Sequence, residues 1–142
     1  MTMEEIFHTV DSAIVQAPEG SMCQQTKIKA AVLCVDDDPQ IVAVIRDVLC
    51  SHVDVFEANN LEEGRAMVLA HHPALVIVDR MIGNEDGRTL VPFIQQCSPK
   101  SKVMVLSAYP GTGISRDSQP EAYMVKPVSP ADLLKKVEAL LN

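Results

Sequence analysis

Short apolar runs alternate along the chain with segments in which apolar residues recur at helical spacing. The apolar runs predict five strands, at residues 29–35, 53–57, 74–78, 102–106 and 123–125. The periodic segments predict helices at residues 39–50, 61–71, 89–96 and 129–141. The first and third strands are apolar at nearly every position, which indicates burial on both faces. This alternation predicts a parallel sheet that is covered by helices on both sides.

The number of strands and their spacing predict an α/β fold of the flavodoxin-like type, doubly wound with the strand order 2-1-3-4-5. Residues 28–142 would form this domain, and residues 1–27 would be an N-terminal extension. Apolar residues of the extension recur at helical spacing between Ile6 and Ile14. A short amphipathic helix that docks on a partner or on the domain itself would explain that spacing, and so would a frayed extension.

Capping residues support the predicted helix boundaries. Asp38 can cap the first helix, and Ser129 can cap the last one. Asn59 and Glu62 stand at capping-box distance at the start of the second helix. Pro92 is tolerated only in a first turn, so the third helix should start late or bend.

The composition is that of an ordinary folded domain. The 142 residues are 47% hydrophobic and 22% charged, and a net charge of −7 without a Lys/Arg run argues against a nucleic-acid-binding surface. No apolar run approaches the ~18 residues of a membrane span. The acidic start at Met1–Glu5 does not resemble a secretory signal. We therefore expect a cytoplasmic protein without a nucleic-acid or membrane partner.

Polar side chains follow the apolar strands at the points where these strands end. They are Asp36 and Asp37 after the first strand, Asp79 after the third, Ser107 at the end of the fourth and Lys126 after the fifth. The carboxyl ends of parallel strands share one edge, where such sheets bind ligands, so we expect a common pocket. Taken singly, each position has a more ordinary interpretation, such as a helix cap or a loop lysine. Together they would provide carboxylate ligands for a hard cation, a carboxylate nucleophile, and hydroxyl and ammonium groups that bind phosphoryl oxygens.

Four motifs in order resemble the receiver domain of two-component response regulators, of the chemotaxis-regulator type. They are VLCVDDDP at 32–39, ALVIVDRMI at 74–82 followed by Asp86-Gly87, VMVLSA at 103–108 and YMVKP at 123–127. The resemblance covers roughly residues 28–142, and the family usually has a cis-proline in the last motif. It implies a phosphorylation-dependent signalling switch and not a classical enzyme, although such a domain assists its own phosphoryl transfer and hydrolysis.

The resemblance also implies a phosphoacceptor beside a magnesium ion. Asp79 would accept the phosphoryl group. Asp37, Asp79 and the backbone carbonyl of Met81 would bind Mg²⁺ directly, and Asp36 would hold it through water.

Three further roles and the partners are implied in the same way. Ser107 would hydrogen-bond one phosphoryl oxygen, and Lys126 would pair with another. Tyr123 matches the aromatic switch position, whose ring follows the movement of the hydroxyl residue. The donor would be a phosphohistidine on a sensor histidine kinase or a histidine phosphotransfer protein, and the readout would be a changed affinity for an unknown downstream protein.

The chain departs from the family pattern at several positions. Ser107 replaces the commoner threonine but keeps the hydroxyl. Gly83 stands where the family commonly has proline, so we expect a more mobile loop after Asp79. Residues 110–120 stand where the family builds a fourth helix, but only Ile114 is apolar there, so we expect an atypical or shortened fourth helix. Since the predicted last helix ends the chain, a stand-alone receiver is expected.

Two alternative functions use the same residues. A haloacid-dehalogenase-like phosphatase also combines an aspartyl nucleophile, a hydroxyl, a lysine and Mg²⁺. That family carries its nucleophile in an Asp-x-Asp motif on the first strand, and the sequence from Asp36 to Pro39 does not continue in its pattern. A pseudo-receiver that only binds partners is disfavoured because every charged position of the site is filled.

Overall fold

The computed structural model of the chain describes residues 30–108 and 119–142. Its strands are β1 (Ala31–Val35), β2 (Asp54–Ala58), β3 (Leu75–Asp79), β4 (Met81–Ile82), β5 (Glu85–Asp86), β6 (Lys102–Ser107) and β7 (Ala122–Val125). Five of them form one parallel sheet in the order β2-β1-β3-β6-β7, and β4 and β5 form a separate antiparallel pair. This order confirms the predicted flavodoxin-like α/β fold.

Four α-helices lie in the described part of the chain, and their bounds agree with the predicted ones to within one residue. They are α1 (Pro39–Leu49), α2 (Leu61–His71), α3 (Leu90–Cys97) and α4 (Pro130–Leu141). The carboxylate of Asp38 caps α1, and the hydroxyl of Ser129 caps α4. A 3₁₀ turn at Gly87–Thr89 precedes α3, so Pro92 lies in the first turn of α3, where its missing N–H costs no helical hydrogen bond.

The cap of α2 differs from the predicted one. Asn60 accepts a hydrogen bond from the Glu63 amide at 2.8 Å, and the Glu63 carboxylate accepts one from the Asn59 amide at 2.8 Å. The predicted pair of Asn59 and Glu62 is wrong by one residue, because the helix begins at Leu61 and its cap must directly precede it.

Two apolar cores cover the two faces of the sheet. Leu33 and Val35 of β1 enter the core that α2 and α3 cover, whereas Val32 and Cys34 enter the core that α1 and α4 cover. All four residues are at most 1% exposed. Each fully buried Leu or Val side chain contributes roughly 1.5–3 kcal/mol, so burial on both faces fixes the position of this strand and of its carboxyl end.

Two predicted features lie outside the described residues. One is the helix in the extension at residues 1–27, and the other is the atypical fourth helix, most of which would lie in residues 109–118. None of the helices in residues 30–108 and 119–142 combines the length and the apolar character that crossing a bilayer requires.

Candidate functional site

The polar residues that were predicted at the strand ends lie at one edge of the sheet. β1 and β3 pair in parallel, so Asp36, which follows β1, lies beside Asp79, which ends β3. β6 and β7 pair in the same way, and Ser107 ends β6 while Lys126 follows β7. A cavity of about 330 Å³ opens at this edge and is lined by Asp79, Arg80, Met81, Ser107, Ala108 and Lys126.

Three carboxylates converge beside this cavity. Asp36, Asp37 and Asp79 each offer an oxygen, and these oxygens all lie within 4.8 Å of one another. Asp36 and Asp79 are only 1% and 7% exposed, whereas Asp37 is exposed. Negative charges at this distance repel one another, so a positive charge nearby would stabilise the cluster. Three carboxylates are also a set of ligands that suits a hard divalent cation.

Asp36 has a carboxylate oxygen whose hydrogen-bonding capacity is not satisfied by the described residues. One of its oxygens accepts a hydrogen bond from the Asp38 amide at 2.9 Å. Its other oxygen, Oδ2, is buried and has no hydrogen-bond partner among the described residues. Burial, reinforced by the neighbouring charge of Asp79, raises the pKa of the Asp36 carboxyl to about 6. A cation bound here, or a water molecule that the cation holds, would give this oxygen a partner.

Lys126 supplies a positive charge on the other side of Asp79. Its Nζ donates a hydrogen bond to Asp79 Oδ2 at 2.9 Å. Its amide donates to the carbonyl of Ser107 at 2.9 Å, which continues the pairing of β6 and β7. The peptide bond between Lys126 and Pro127 is cis, as the resemblance predicts. One oxygen of Asp79 is thus paired with an ammonium group inside the cavity.

Ser107 and Met81 complete the lining on two sides. Ser107 is 3% exposed and belongs to the cavity wall. The Met81 amide approaches Asp79 Oδ1 at 3.4 Å, and its side chain is 52% exposed. The structure therefore brings the backbone of Met81 next to Asp79, while the use of the Met81 carbonyl as a metal ligand stays a prediction.

Gly87 is a structural requirement of the site that the sequence motif alone did not explain. A Cβ atom placed on Gly87 would lie 1.9 Å from the backbone oxygen of Asp79 and 2.9 Å from a methyl group of Val78. The Gly87 amide also donates a hydrogen bond to the carbonyl of Arg80. The glycine of the Asp86-Gly87 motif therefore lets the segment after β5 pack directly against the end of β3.

Arg88 is a second residue whose position could not be read from the sequence. Its guanidinium forms several hydrogen bonds with the Asp86 carboxylate, at 2.6 to 3.1 Å. Hydrogen bonds to Asp86 raise the pKa of Arg88, and a smaller contribution comes from the hydroxyl of Tyr123. Tyr123 lies on β7 and packs, half-buried, against the core beneath α2 and α3. The predicted switch residue is thus connected through Arg88 to the segment that follows Asp79.

The family model described as the response regulator receiver domain matches residues 32–138. The sensor histidine kinase TmoS of Ectopseudomonas mendocina is 29% identical over 116 residues, which cover 78% of this chain and 12% of that protein. The chain therefore spans only a small part of that relative's length.

Two solved structures are similar over most of the chain. One is a CheY-like response regulator receiver domain protein from Methanospirillum hungatei JF-1, with a TM-score of 0.74 and 26% identity over 80% of this chain and 94% of that one. The other is the response regulator TrrA from Thermotoga maritima, solved in complex with Mg²⁺-BeF. It has a TM-score of 0.71 and 26% identity, over 79% of this chain and 99% of that one.

Proposed function

Because this chain belongs to the response regulator receiver domain family, whose members are signalling domains and not classical enzymes, we propose that phosphorylation of Asp79 operates its switch. The observation that carries the proposal is the setting of the Asp79 carboxylate. The residue is 7% exposed at the end of β3, its carboxylate lies 2.9 Å from the Lys126 ammonium, and it lines a cavity together with Ser107. A buried carboxylate beside a fixed cation is a suitable nucleophile for phosphorus.

The proposed reaction transfers the phosphoryl group from a phosphohistidine. An oxygen of Asp79 attacks the phosphorus, so that a P–O bond forms while the P–N bond breaks, and the histidine nitrogen leaves with the electron pair and takes up a proton. Lys126 pairs with one phosphoryl oxygen, and Ser107 donates a hydrogen bond to another. The same groups assist the later hydrolysis of the acyl phosphate.

Magnesium is the cofactor that we propose for this site. Asp37, Asp79 and the backbone carbonyl of Met81 would hold the ion directly, and Asp36 would hold it through water. The crowded carboxylates and the unpartnered Oδ2 of Asp36 support this assignment. Bound Mg²⁺ would neutralise charge on the phosphoryl oxygens during transfer. The Mg²⁺-BeF complex of TrrA, at 26% identity, is further support.

The protein partners and the domain boundaries are also part of the proposal. We propose a sensor histidine kinase or a histidine phosphotransfer protein as the donor, and a downstream protein whose affinity depends on phosphorylation and on Tyr123. We also propose that the domain extends over residues 28–142 and that residues 1–27 are an extension. The stand-alone arrangement, a cytoplasmic location and the lack of nucleic-acid and membrane partners stay predictions.

Intact-mass spectrometry tests the proposal. We expect incubation with Mg²⁺ and acetyl phosphate or phosphoramidate to add one phosphoryl group to the wild type. Asp79→Asn should abolish the mass gain, because the amide is not a nucleophile. Asp47→Asn, an exposed carboxylate on α1, should leave it unchanged.

Three results would contradict the proposal. The first is a wild type that gains no mass even with a cognate kinase as the donor, and the second is an Asp79→Asn variant that still gains mass. The third is rapid multiple turnover of a small phosphomonoester, which would support the haloacid-dehalogenase-like phosphatase instead.

A further inference from the structure

The hairpin that follows Asp79 has a two-residue loop with glycine in its first position. β4 and β5 pair antiparallel, with Met81 opposite Asp86 and Ile82 opposite Glu85. Gly83 and the next residue therefore form the loop. Gly83 has φ +61°, a conformation that glycine adopts without strain and other residues rarely adopt. Glycine with positive φ in the first loop position is typical of the type II′ hairpin turn.

The amide of Gly83 points at the carboxylate cluster. It donates a hydrogen bond to Asp37 Oδ2 at 2.9 Å, across 46 residues of sequence. Asp37 is the exposed member of the three carboxylates, so its side chain is not held in place by burial. The hydrogen bond engages one oxygen of Asp37, and a carboxylate keeps further acceptor capacity on its other oxygen.

The common family residue at this position could not make the same contact. Proline has no backbone N–H, and its φ is locked near −65°. Gly83 provides both the donor and the positive φ that aims it. Steric crowding does not require glycine at this position, because a Cβ atom on Gly83 would meet nothing within 4 Å.

We propose that Gly83 is a positioning residue for the metal: its amide holds the Asp37 carboxylate beside Asp36 and Asp79 and so increases the affinity of the cluster for Mg²⁺. This inference rests on the proposed function of the site. The physical reason is preorganisation, because a ligand that is already oriented loses less conformational freedom when the ion binds. Since Asp37 is exposed, the gain is modest, about threefold to tenfold in affinity.

Calorimetric titration with Mg²⁺ compares a variant that loses both the donor and the positive φ with a variant that keeps both. Gly83→Pro removes the N–H, whereas Gly83→Asn keeps it and tolerates positive φ. We expect the Mg²⁺ dissociation constant to rise about threefold to tenfold in Gly83→Pro and to stay within about twofold in Gly83→Asn. Saturating Mg²⁺ should restore the full extent of phosphorylation to Gly83→Pro, which general damage to the fold would prevent.

Two outcomes of the titration overturn the inference. In the first, folded Gly83→Pro, checked by circular dichroism, binds Mg²⁺ as tightly as the wild type. In the second, Gly83→Asn binds as weakly as Gly83→Pro although slow exchange of the amide at position 83 shows that its hydrogen bond to Asp37 persists, so that the amide donor does not matter. In both cases the wild type still binds Mg²⁺ and is phosphorylated, which leaves the proposed function standing. A wild type that neither binds Mg²⁺ nor gains a phosphoryl group would overturn the proposed function and the inference together.

Amide exchange measured by NMR in the metal-free protein gives a second, independent readout. Asp37→Ala removes the acceptor, so exchange of the Gly83 amide should become at least several times faster than in the wild type. Asp54→Ala, at the start of the edge strand β2, should leave it unchanged. Equal exchange of the Gly83 amide in the wild type and Asp37→Ala would contradict the role assigned to this hydrogen bond, whatever the outcome of the phosphorylation assays.

Discussion

The two ends of the parallel sheet carry cavities of different size and chemistry. At the carboxyl ends of the strands, the cavity of about 330 Å³ lies beside three crowded carboxylates, and one oxygen of Asp36 has no hydrogen-bond partner within residues 30–108 and 119–142. At the opposite end, a larger cavity of about 680 Å³ lies between the loops that precede β3 and β6. Polar groups in its lining and the adjacent Ser101 satisfy one another: His72 contacts Ser98 at 3.1 Å, Ser98 contacts Ser101 at 2.7 Å, and Ser101 donates to the carbonyl of Pro73.

The candidate site therefore differs from the other cavity by its crowded, incompletely hydrogen-bonded carboxylates, and not by its size. In the larger cavity, the chain of hydroxyl groups ends on a carbonyl and leaves no described buried polar atom without a partner. In the smaller one, the protein keeps like charges close together, at a cost in stability that a bound cation would offset. Four measurements test this difference between the two ends of the sheet.

The largest expected effect comes from the lysines at the two ends. Lys126 pairs with Asp79, whereas Lys102 at the start of β6 donates to the carbonyl of Leu140 at 2.6 Å. Lys126→Met should slow phosphorylation by acetyl phosphate by about a hundredfold, because it removes a fixed cation from the transferred group. Lys102→Met should leave the rate unchanged. Equal rates for the two variants in a time course by intact mass would break the contrast.

Gly87→Ala should disturb the site through the backbone. Its Cβ would lie 1.9 Å from the oxygen of Asp79, so the end of β3 or the segment after β5 must move. We expect a loss of roughly 2–3 kcal/mol in urea unfolding, together with weaker Mg²⁺ binding. Gly64→Ala is the control, because its Cβ would approach side-chain methyl groups instead of backbone, those of Val35 at 3.2 Å and of Leu90 at 3.6 Å. A Gly87→Ala protein as stable as the wild type would show that this close approach is not required.

The carboxylate cluster should make the metal-free protein less stable as pH rises. Burial, with the charge of Asp79, raises the pKa of Asp36 from 3.8 to about 6. The folded state then binds the proton more tightly than the unfolded chain, so stability should fall between about pH 4 and pH 6. Asp36→Asn should remove roughly 1–2 kcal/mol of this dependence. The free energy of unfolding can be measured by urea denaturation, with a chelator present, below about pH 4 and above about pH 6. An equal change between these two pH values in the wild type and in Asp36→Asn would contradict the assignment.

The smallest effect is expected at the opposite end of the sheet. Ser101 is 6% exposed and bonds both Ser98 and the carbonyl of Pro73. Ser101→Ala should cost about 1 kcal/mol of unfolding free energy, because buried partners lose a hydrogen bond. Mg²⁺ affinity and phosphorylation should stay at wild-type values. A weakened Mg²⁺ affinity in this variant would show that the two ends are coupled.

Much of the fold could be predicted because its determinants are local. Apolar runs identified the strands that are buried on both faces, and caps such as Asp38 and Ser129 set helix starts that agree to within one residue. The α2 cap was placed on the wrong one of two adjacent asparagines, although the predicted start at Leu61 already favours Asn60, which directly precedes it.

The residues of the candidate site were also predictable, since Asp36, Asp79, Ser107 and Lys126 directly end or follow apolar strands. Parallel strands place such positions at one edge whatever the details of packing. Local sequence patterns were therefore sufficient to predict the fold class and the chemical groups at that edge.

Tertiary structure alone decided how these groups are held. The bond between Gly83 and Asp37 joins residues 46 positions apart, and the approach of Gly87 to Asp79 depends on how a hairpin packs against a strand end. The contact between Arg88 and Tyr123 likewise joins separate elements. Periodicity and capping report only on neighbours along the chain, whereas these contacts depend on distances that exist only once the sheet, its loops and its helices have packed together.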